Sequence, residues 1–292
     1  MNTMSLFESN DSSGDISIMD MYEGKEIVKT IKKISLEELA NLIIRGGWPA
    51  NINVSKDKYG LMPKYYINSI LEKDIYESKN VDSVKMQKLL KSLARNESTV
   101  VSNNKLIKDI SDNDDLNIDK RTISDYIEIL EKLNLLNNQL SYSSNYRSPE
   151  RVGKNVKRHF TDSSLAAALL NMNASKLIAD LKTFGFLFEA LVERDLKIYM
   201  DYLDGNLYHF RDSVTGLEVD SILEFENGEY AAVEIKLGFN QFKEACESLL
   251  KFQDNVTKKP KFMCVICGYN ENIVKDPETG IYIVPITALK PE

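Results

Sequence analysis

The chain has 292 residues, of which 43% are hydrophobic, and a formal net charge of −7. That is enough length and apolar content for two domains with a core each, which excludes a disordered or fibrous chain, and the net acidity excludes a protein that coats nucleic acid through bulk charge. The polar start, Met1 to Asp20, has no apolar signal segment, and the longest apolar runs, Phe262 to Cys267 and Ile281 to Ile286, fall far short of the about 20 residues of a spanning helix, so the expectation is a cytoplasmic protein with no membrane partner.

In chain order, residues 1–60 read as an irregular lead-in. A Ser/Asn/Asp/Gly-rich stretch runs to Asp15, Ser35 caps a short helix over Leu36-Glu37-Glu38-Leu39, and Gly46-Gly47-Trp48-Pro49 makes a turn. Its apolar residues are too few to fold alone and are expected to pack on a module outside this chain. Residues 61–160 form the next segment, with helices predicted from Leu61 to Asn80, Val84 to Asn96, Asn103 to Ile110 and Asp119 to Leu133. Two short strands, Leu135-Leu136 and Lys157 to Phe160, complete the order of a winged helix-turn-helix. Lys120 and Arg121 then lie at the start of the helix that would meet a DNA groove. Arg147, Arg151, Lys154, Lys157 and Arg158 form a basic run at the wing tip, opposed by Glu150 alone. These seven cations are the candidate nucleic-acid contacts; the same run suits a solvated loop, and the same helices suit a purely structural module.

After Asp162 helices and strands alternate, as in an α/β domain over 161–292. Short helices at Ser163 to Leu170 and Ala174 to Leu181 precede a long one, Thr183 to Leu203. Strands follow at Asn206 to Arg211, Leu217 to Phe225 and Glu229 to Leu237, then a helix from Asn240 to Gln253 and strands at Lys261 to Cys267 and Ile281 to Pro285. Helix, three strands, helix, strand is the order of a PD-(D/E)xK restriction-endonuclease-like core, so the fold class expected is mixed, a helical winged-helix-like domain followed by an α/β nuclease-like one. Cys264 and Cys267 form a C-x-x-C pair, but they sit in a buried-strand pattern and only two histidines exist, so a zinc site is not expected.

The chemistry concentrates in four residues. Glu234 and Lys236 are two apart on one strand and so share a face, while Val233 and Ile235 take the other. Asp220 precedes them by one hairpin, and Glu189 lies on the long helix, one turn before Glu193. Two carboxylates beside a lysine suit phosphodiester hydrolysis with a hard cation, Mg²⁺ or Mn²⁺, which takes oxygen ligands and keeps several waters. Asp220 and Glu234 are the expected metal ligands, Glu189 completes or tunes the site, and Lys236 orients the water and offsets charge on the phosphate. A salt-bridged strand face uses the same residues. The turn at Glu226-Asn227-Gly228 sets the register. A three-residue turn with Gly228 left-handed puts Asp220 across from Glu234 and gathers Val219, Leu223, Phe225, Ala231, Val233 and Ile235 on one apolar face; a two-residue turn puts Asp220 across from Ile235.

Ser5-Leu6-Phe7-Glu8-Ser9, Gly46-Gly47-Trp48-Pro49, Phe160-Thr161-Asp162 before Leu165-Ala166-Ala167, FGFLFE ending at Glu189, Phe210-Arg211, Glu218-Val219-Asp220 and Val233-Glu234-Ile235-Lys236 together resemble the C-terminal half of prokaryotic AAA-type ATPases of unassigned role. There, a winged-helix-like region precedes a restriction-endonuclease-like domain of unknown function. The resemblance covers nearly the whole chain and implies DNA as substrate or partner, with an ATPase module ahead of the lead-in. This chain has no G-x-x-x-x-G-K-[ST] and hence no ATP site of that kind. Two functions are therefore expected: a metal-dependent DNA-cleaving or DNA-processing module, or a non-catalytic DNA- or protein-binding module that works with a separate ATPase.

Overall fold

A computed structural model describes residues 2–72, 81–111, 118–148, 151, 153, 155–212 and 214–292. The architecture is mixed α/β with a mostly antiparallel sheet. In chain order the elements are β1 (Ile16–Ser17), α1 (Ile18–Tyr22), β2 (Val28–Thr30), α2 (Leu36–Arg45), α3 (Leu61–Ile70), α4 (Ser83–Arg95), β3 (Thr99–Val100), α5 (Asn103–Ser111), α6 (Lys120–Lys132), β4 (Lys157–Arg158), α7 (Ser163–Leu169), α8 (Ala174–Ala179), α9 (Leu181–Tyr202), β5 (Asn206–Arg211), β6 (Glu218–Glu224), β7 (Tyr230–Gly238), α10 (Phe242–Asn255), β8 (Met263–Tyr269), β9 (Asn272–Lys275), β10 (Tyr282–Pro285) and β11 (Leu289–Lys290).

The chain divides into two compact units that interleave along the sequence: Met1–Thr3, Ala40–Asn138 and Asn155–Ala190 form the first, and Met4–Leu39, Gln139–Lys154 and Leu191–Glu292 the second. Unit 1 is helical. Asp82 and Asp119 cap α4 and α6 by accepting main-chain N–H groups of the first turn, and their apolar stripes, Met86, Leu89, Leu90 and Leu93 on α4 and Ile123, Tyr126, Ile127 and Leu130 on α6, are buried. β3 pairs antiparallel with β4, and Leu136 bridges Phe160. The Gly46-Gly47-Trp48 turn closes on the cap of α7: Asp162 accepts from the Gly47 N–H at 2.9 Å, and Trp48 Nε1 donates to Ser164 Oγ at 2.9 Å. Gly46 has φ +65°, and a Cβ there would collide with the Asp162 carboxylate.

Unit 2 is built on a seven-stranded sheet of order β2-β9-β10-β8-β7-β6-β5. β5, β6 and β7 form an antiparallel meander, α10 crosses over to β8, and β7–β8 and β8–β10 are parallel. The turn after β6 is the three-residue one. Phe225 N–H bonds Glu229 O at 2.9 Å, Gly228 N–H bonds Phe225 O at 2.8 Å, and Gly228 has φ +75°. The ladder follows that register, with Glu224 opposite Tyr230 and Ser221 opposite Val233.

Two expectations need correction. Val219 does not share a face with Leu223 and Val233. Between Tyr208 and Phe210 the β5–β6 pairing shifts, from Tyr208↔Ile222 to Phe210↔Val219, so β6 carries an extra residue there. Such a bulge breaks the two-residue alternation, and Val219 joins Ile222, Tyr230, Ala232, Phe242, Leu249 and Phe252 in the core under α10. The lead-in does not hold its apolar residues in reserve for another module either. β1 pairs with β11, β2 with β9, and Leu6, Ile16, Ile18 and Met21 are 0–2% exposed. Leu6 N–H is bound by Asp195 Oδ2 at 2.9 Å, and Asp195 is itself clamped by Arg194.

Candidate functional site

β6 and β7 carry the centre of the site. Their ladder ends at Ser221↔Val233, and Asp220 and Glu234 are the residues one step beyond it on the two strands. The bulge frees Asp220 from ordinary main-chain pairing, and its side chain takes over: Oδ2 accepts the Ile235 N–H at 2.8 Å and the Lys236 Nζ at 3.1 Å. Lys236 Nζ also lies 2.6 Å from Glu234 Oε2. From α10, Ser248 Oγ donates to Glu234 Oε1 at 3.2 Å and also reaches the Glu218 carbonyl at 3.5 Å. The lysine ammonium thus sits between two carboxylates at one end of the central strands.

Electrostatics follow from burial. Glu234 is 4% exposed, and desolvation followed by the neighbouring Asp220 charge pushes its carboxyl up to about 8, against the opposing pull of Lys236. Desolvation works against the ammonium of Lys236, but Asp220 and Glu234 outweigh it and raise its pKa. Asp220, Glu234 and Lys236 therefore titrate as a coupled set rather than as three independent groups.

The donor set suits a hard cation. It offers oxygen ligands only, from two carboxylates, which is how Mg²⁺ is commonly held with waters filling the remaining positions. Among the described residues no group of three or more His, Cys, Asp or Glu side chains is arranged to hold a metal ion, so what Asp220 and Glu234 offer is a two-carboxylate platform. Cys264 and Cys267 lie inside β8, both buried; burial pushes both thiols up, Cys267 to about 12.

Glu189 and Glu193 sit one turn apart on α9 with different surroundings. Glu189 belongs to unit 1, where it forms a buried ion pair with Lys157 of β4. Glu193 belongs to unit 2 and is 4% exposed; it accepts from Ser221 Oγ at 2.6 Å and from Gln139 Nε2 at 2.7 Å. Ser221 directly follows Asp220 in the bulge, so Glu193 is the helix carboxylate tied to that part of the sheet. Sequence reasoning missed this link, and it missed Ser248. The alternation of α9 gave one usable signal, since Val192 and Leu196 beside Glu193 mark its turn as buried. Neither reasoning from spacing nor from charge singled out Glu97, which in unit 1 is fully buried against His159 Nδ1 at 3.2 Å and accepts the Phe160 N–H; burial holds its carboxyl well above the usual range.

The candidate nucleic-acid cations separate sharply. Lys120, Arg121 and Arg147 are exposed. Arg151 is not displayed: it forms a two-pronged pair with Glu224, at 2.7 and 3.1 Å, and lies over the rings of Tyr142, Tyr146 and Tyr208 within 4.7–5.1 Å. Lys157 is committed to Glu189, and Arg158 is largely desolvated, which lowers its pKa. Lys154 lies outside the described residues.

Compared with known families, residues 36–176 match a domain of unknown function (DUF8612) and residues 184–289 match a second, also a domain of unknown function (DUF4143). The two matches cover most of the chain. No curated protein matches it.

Proposed function

We propose that unit 2 is a divalent-metal-dependent DNA-cleaving or DNA-processing module built on a PD-(D/E)xK-like core, and that the winged-helix-like helices of unit 1 contribute DNA contact. The observation that carries this reading is the convergence of Asp220, Glu234 and Lys236 at the end of β6 and β7, with Glu234 buried and its carboxyl pushed to about 8. A surface ion pair needs no such burial, and perturbed titration in a cluster of this kind favours a functional site. The pairing of β3 with β4 and the Leu136–Phe160 bridge after α6 support the winged-helix reading, with exposed Lys120 and Arg121 opening α6.

Asp220 and Glu234 would hold Mg²⁺ or Mn²⁺, with Ser248 fixing one Glu234 oxygen while the other meets Lys236 Nζ. When bound, the cation supplies Lewis-acid polarisation of the phosphoryl group. Lys236, released from the two carboxylates, orients the attacking water and offsets the charge that develops on the phosphate. Glu193 acts as a positioning residue through Ser221, holding the bulge that aims Asp220.

A second reading, a non-catalytic DNA- or protein-binding module that works with an ATPase partner, draws on two observations. Lys236 already neutralises the carboxylates, and domains like that matched by residues 184–289 are commonly found in proteins associated with AAA ATPases. Cleavage of linear, branched and single-stranded DNA in Mg²⁺ or Mn²⁺ separates the two. The nuclease reading expects Lys236→Ala to lose cleavage while Mn²⁺ binding by calorimetry holds or rises, because a competing cation has been removed. Glu234→Ala should lose both. Equal rates for wild type and Lys236→Ala on every substrate would replace it with the second reading.

A further inference from the structure

We infer that Phe239, Tyr269 and Lys33 form a stacking platform for an unpaired DNA strand beside the Asp220–Glu234–Lys236 cluster. The strand register places it there. β7 and β8 run parallel with Lys236 opposite Cys267 and Gly238 opposite Tyr269. By the two-residue alternation Gly238 and Tyr269 continue the face on which Glu234 and Lys236 lie. Gly238 is thus two residues, about 7 Å, beyond Lys236, and a Cβ added to it would meet no atom within 4 Å apart from its chain neighbours. The row that begins with buried Glu234 therefore ends in open space over bare backbone, where a ligand can approach closely.

Aromatic rings flank that space. Phe239 follows directly and is 69% exposed, although its partner Phe242, 5.2 Å away, is buried in the core under α10. The Phe239 ring is thus left in water directly after the partly exposed Lys236 and Gly238. Tyr269 is 37% exposed, and Lys33 Nζ lies 4.2 Å from its ring centroid. The Phe239 ring offers open π-surface, while Lys33 covers one face of Tyr269 and brings an ammonium that can meet a phosphate; stacking rings with a cation at hand match the way single strands are held without base-specific hydrogen bonds. A duplex keeps its base faces stacked inside and has none to offer.

The inference rests on the nucleic-acid reading of the neighbouring cluster for the identity of its ligand, and a binding assay without turnover tests it separately. Fluorescence anisotropy of a labelled 20-residue oligothymidine, and of the corresponding oligothymidine–oligoadenine duplex, is measured with the full chain in EDTA. The expected result is at least tenfold tighter binding of the single strand. Phe239→Ala and Tyr269→Ala should each weaken that binding by about 5- to 150-fold, the span of base–aromatic stacking. Phe239→Tyr should retain it, and Mn²⁺ titration of all three variants should match wild type. Equal affinity for duplex, no single-strand binding, or unchanged binding in both alanine variants overturns the platform even if the chain cleaves DNA. Loss of binding in both variants from a chain that neither takes up Mn²⁺ nor cleaves leaves the platform standing and removes the nuclease reading.

Discussion

At the scale of single residues, the cluster is governed by one proton. Glu234 is pushed up to about 8 by burial and by Asp220, whereas an unfolded chain ionises a glutamate near 4.3. The folded state therefore holds more protons than the unfolded state between those values, and this group's contribution to stability falls as pH rises through that window and levels off above about 8. Glu234→Gln should abolish that decline, as read from urea midpoints at pH 5, 7 and 9. A wild-type chain whose midpoint rises across the same range for this group's share, with Glu234→Gln as reference, would contradict the assignment. Metal binding should run in the opposite sense. A cation needs Glu234 ionised, so Mn²⁺ affinity should climb about tenfold per pH unit below about 8 and flatten above it, with close to one proton released per ion below the transition. Calorimetry in two buffers of different ionisation enthalpy measures that release.

At the scale of elements, the β6–β7 hairpin and the segment before unit 2's last strands of meander show what local chemistry decides. Gly228, at φ +75°, sets the three-residue turn and hence the register that brings Asp220 to Glu234. Gly228→Ala should cost about 1–2 kcal/mol of unfolding free energy, the usual penalty for a side chain in the left-handed region, measured by denaturant titration. Arg151 belongs at this scale too. Its side chain is 11% exposed and that of Glu224 7%, so Arg151→Ala leaves a buried carboxylate without its partner and should destabilise unit 2 by about 3–5 kcal/mol. Unlike a change at an exposed phosphate contact, it should leave the salt dependence of DNA binding by the folded fraction unaltered. A variant as stable as wild type with weaker DNA binding would return Arg151 to the proposed nucleic-acid contacts.

At the scale of the whole chain, the first residues pair in two separate sheets with strands from the far end of the sequence. β1 joins β11 and β2 joins β9, while Tyr22 packs on Phe225 at 4.7 Å between ring centroids. Deleting residues 1–31 strips an edge strand and uncovers the side chains that pack beside Leu6, Ile16, Ile18 and Met21. The expected outcome is loss of the cooperative melt of unit 2 in circular dichroism. A truncated chain that melts as sharply and at the same temperature would show the lead-in to be dispensable.

Much was legible in the residues alone. The helices of unit 1 follow from apolar residues at three- and four-residue spacing, and the strands β5 to β8 from alternation and β-branched runs. The three-residue turn between β6 and β7 followed from one glycine that tolerates a positive φ. These are local properties, written in residues a few positions apart. Tertiary structure alone decided the rest: the bulge that moves Val219 to the other face, Glu193 as the helix carboxylate hydrogen-bonded to Ser221, Arg151 and Lys157 withdrawn into buried pairs, and the lead-in strands β1 and β2 pairing with β11 and β9. Each depends on which surfaces meet across long stretches of chain, and a charge in sequence carries no record of whether a partner of opposite sign, from a distant segment, has removed it from water.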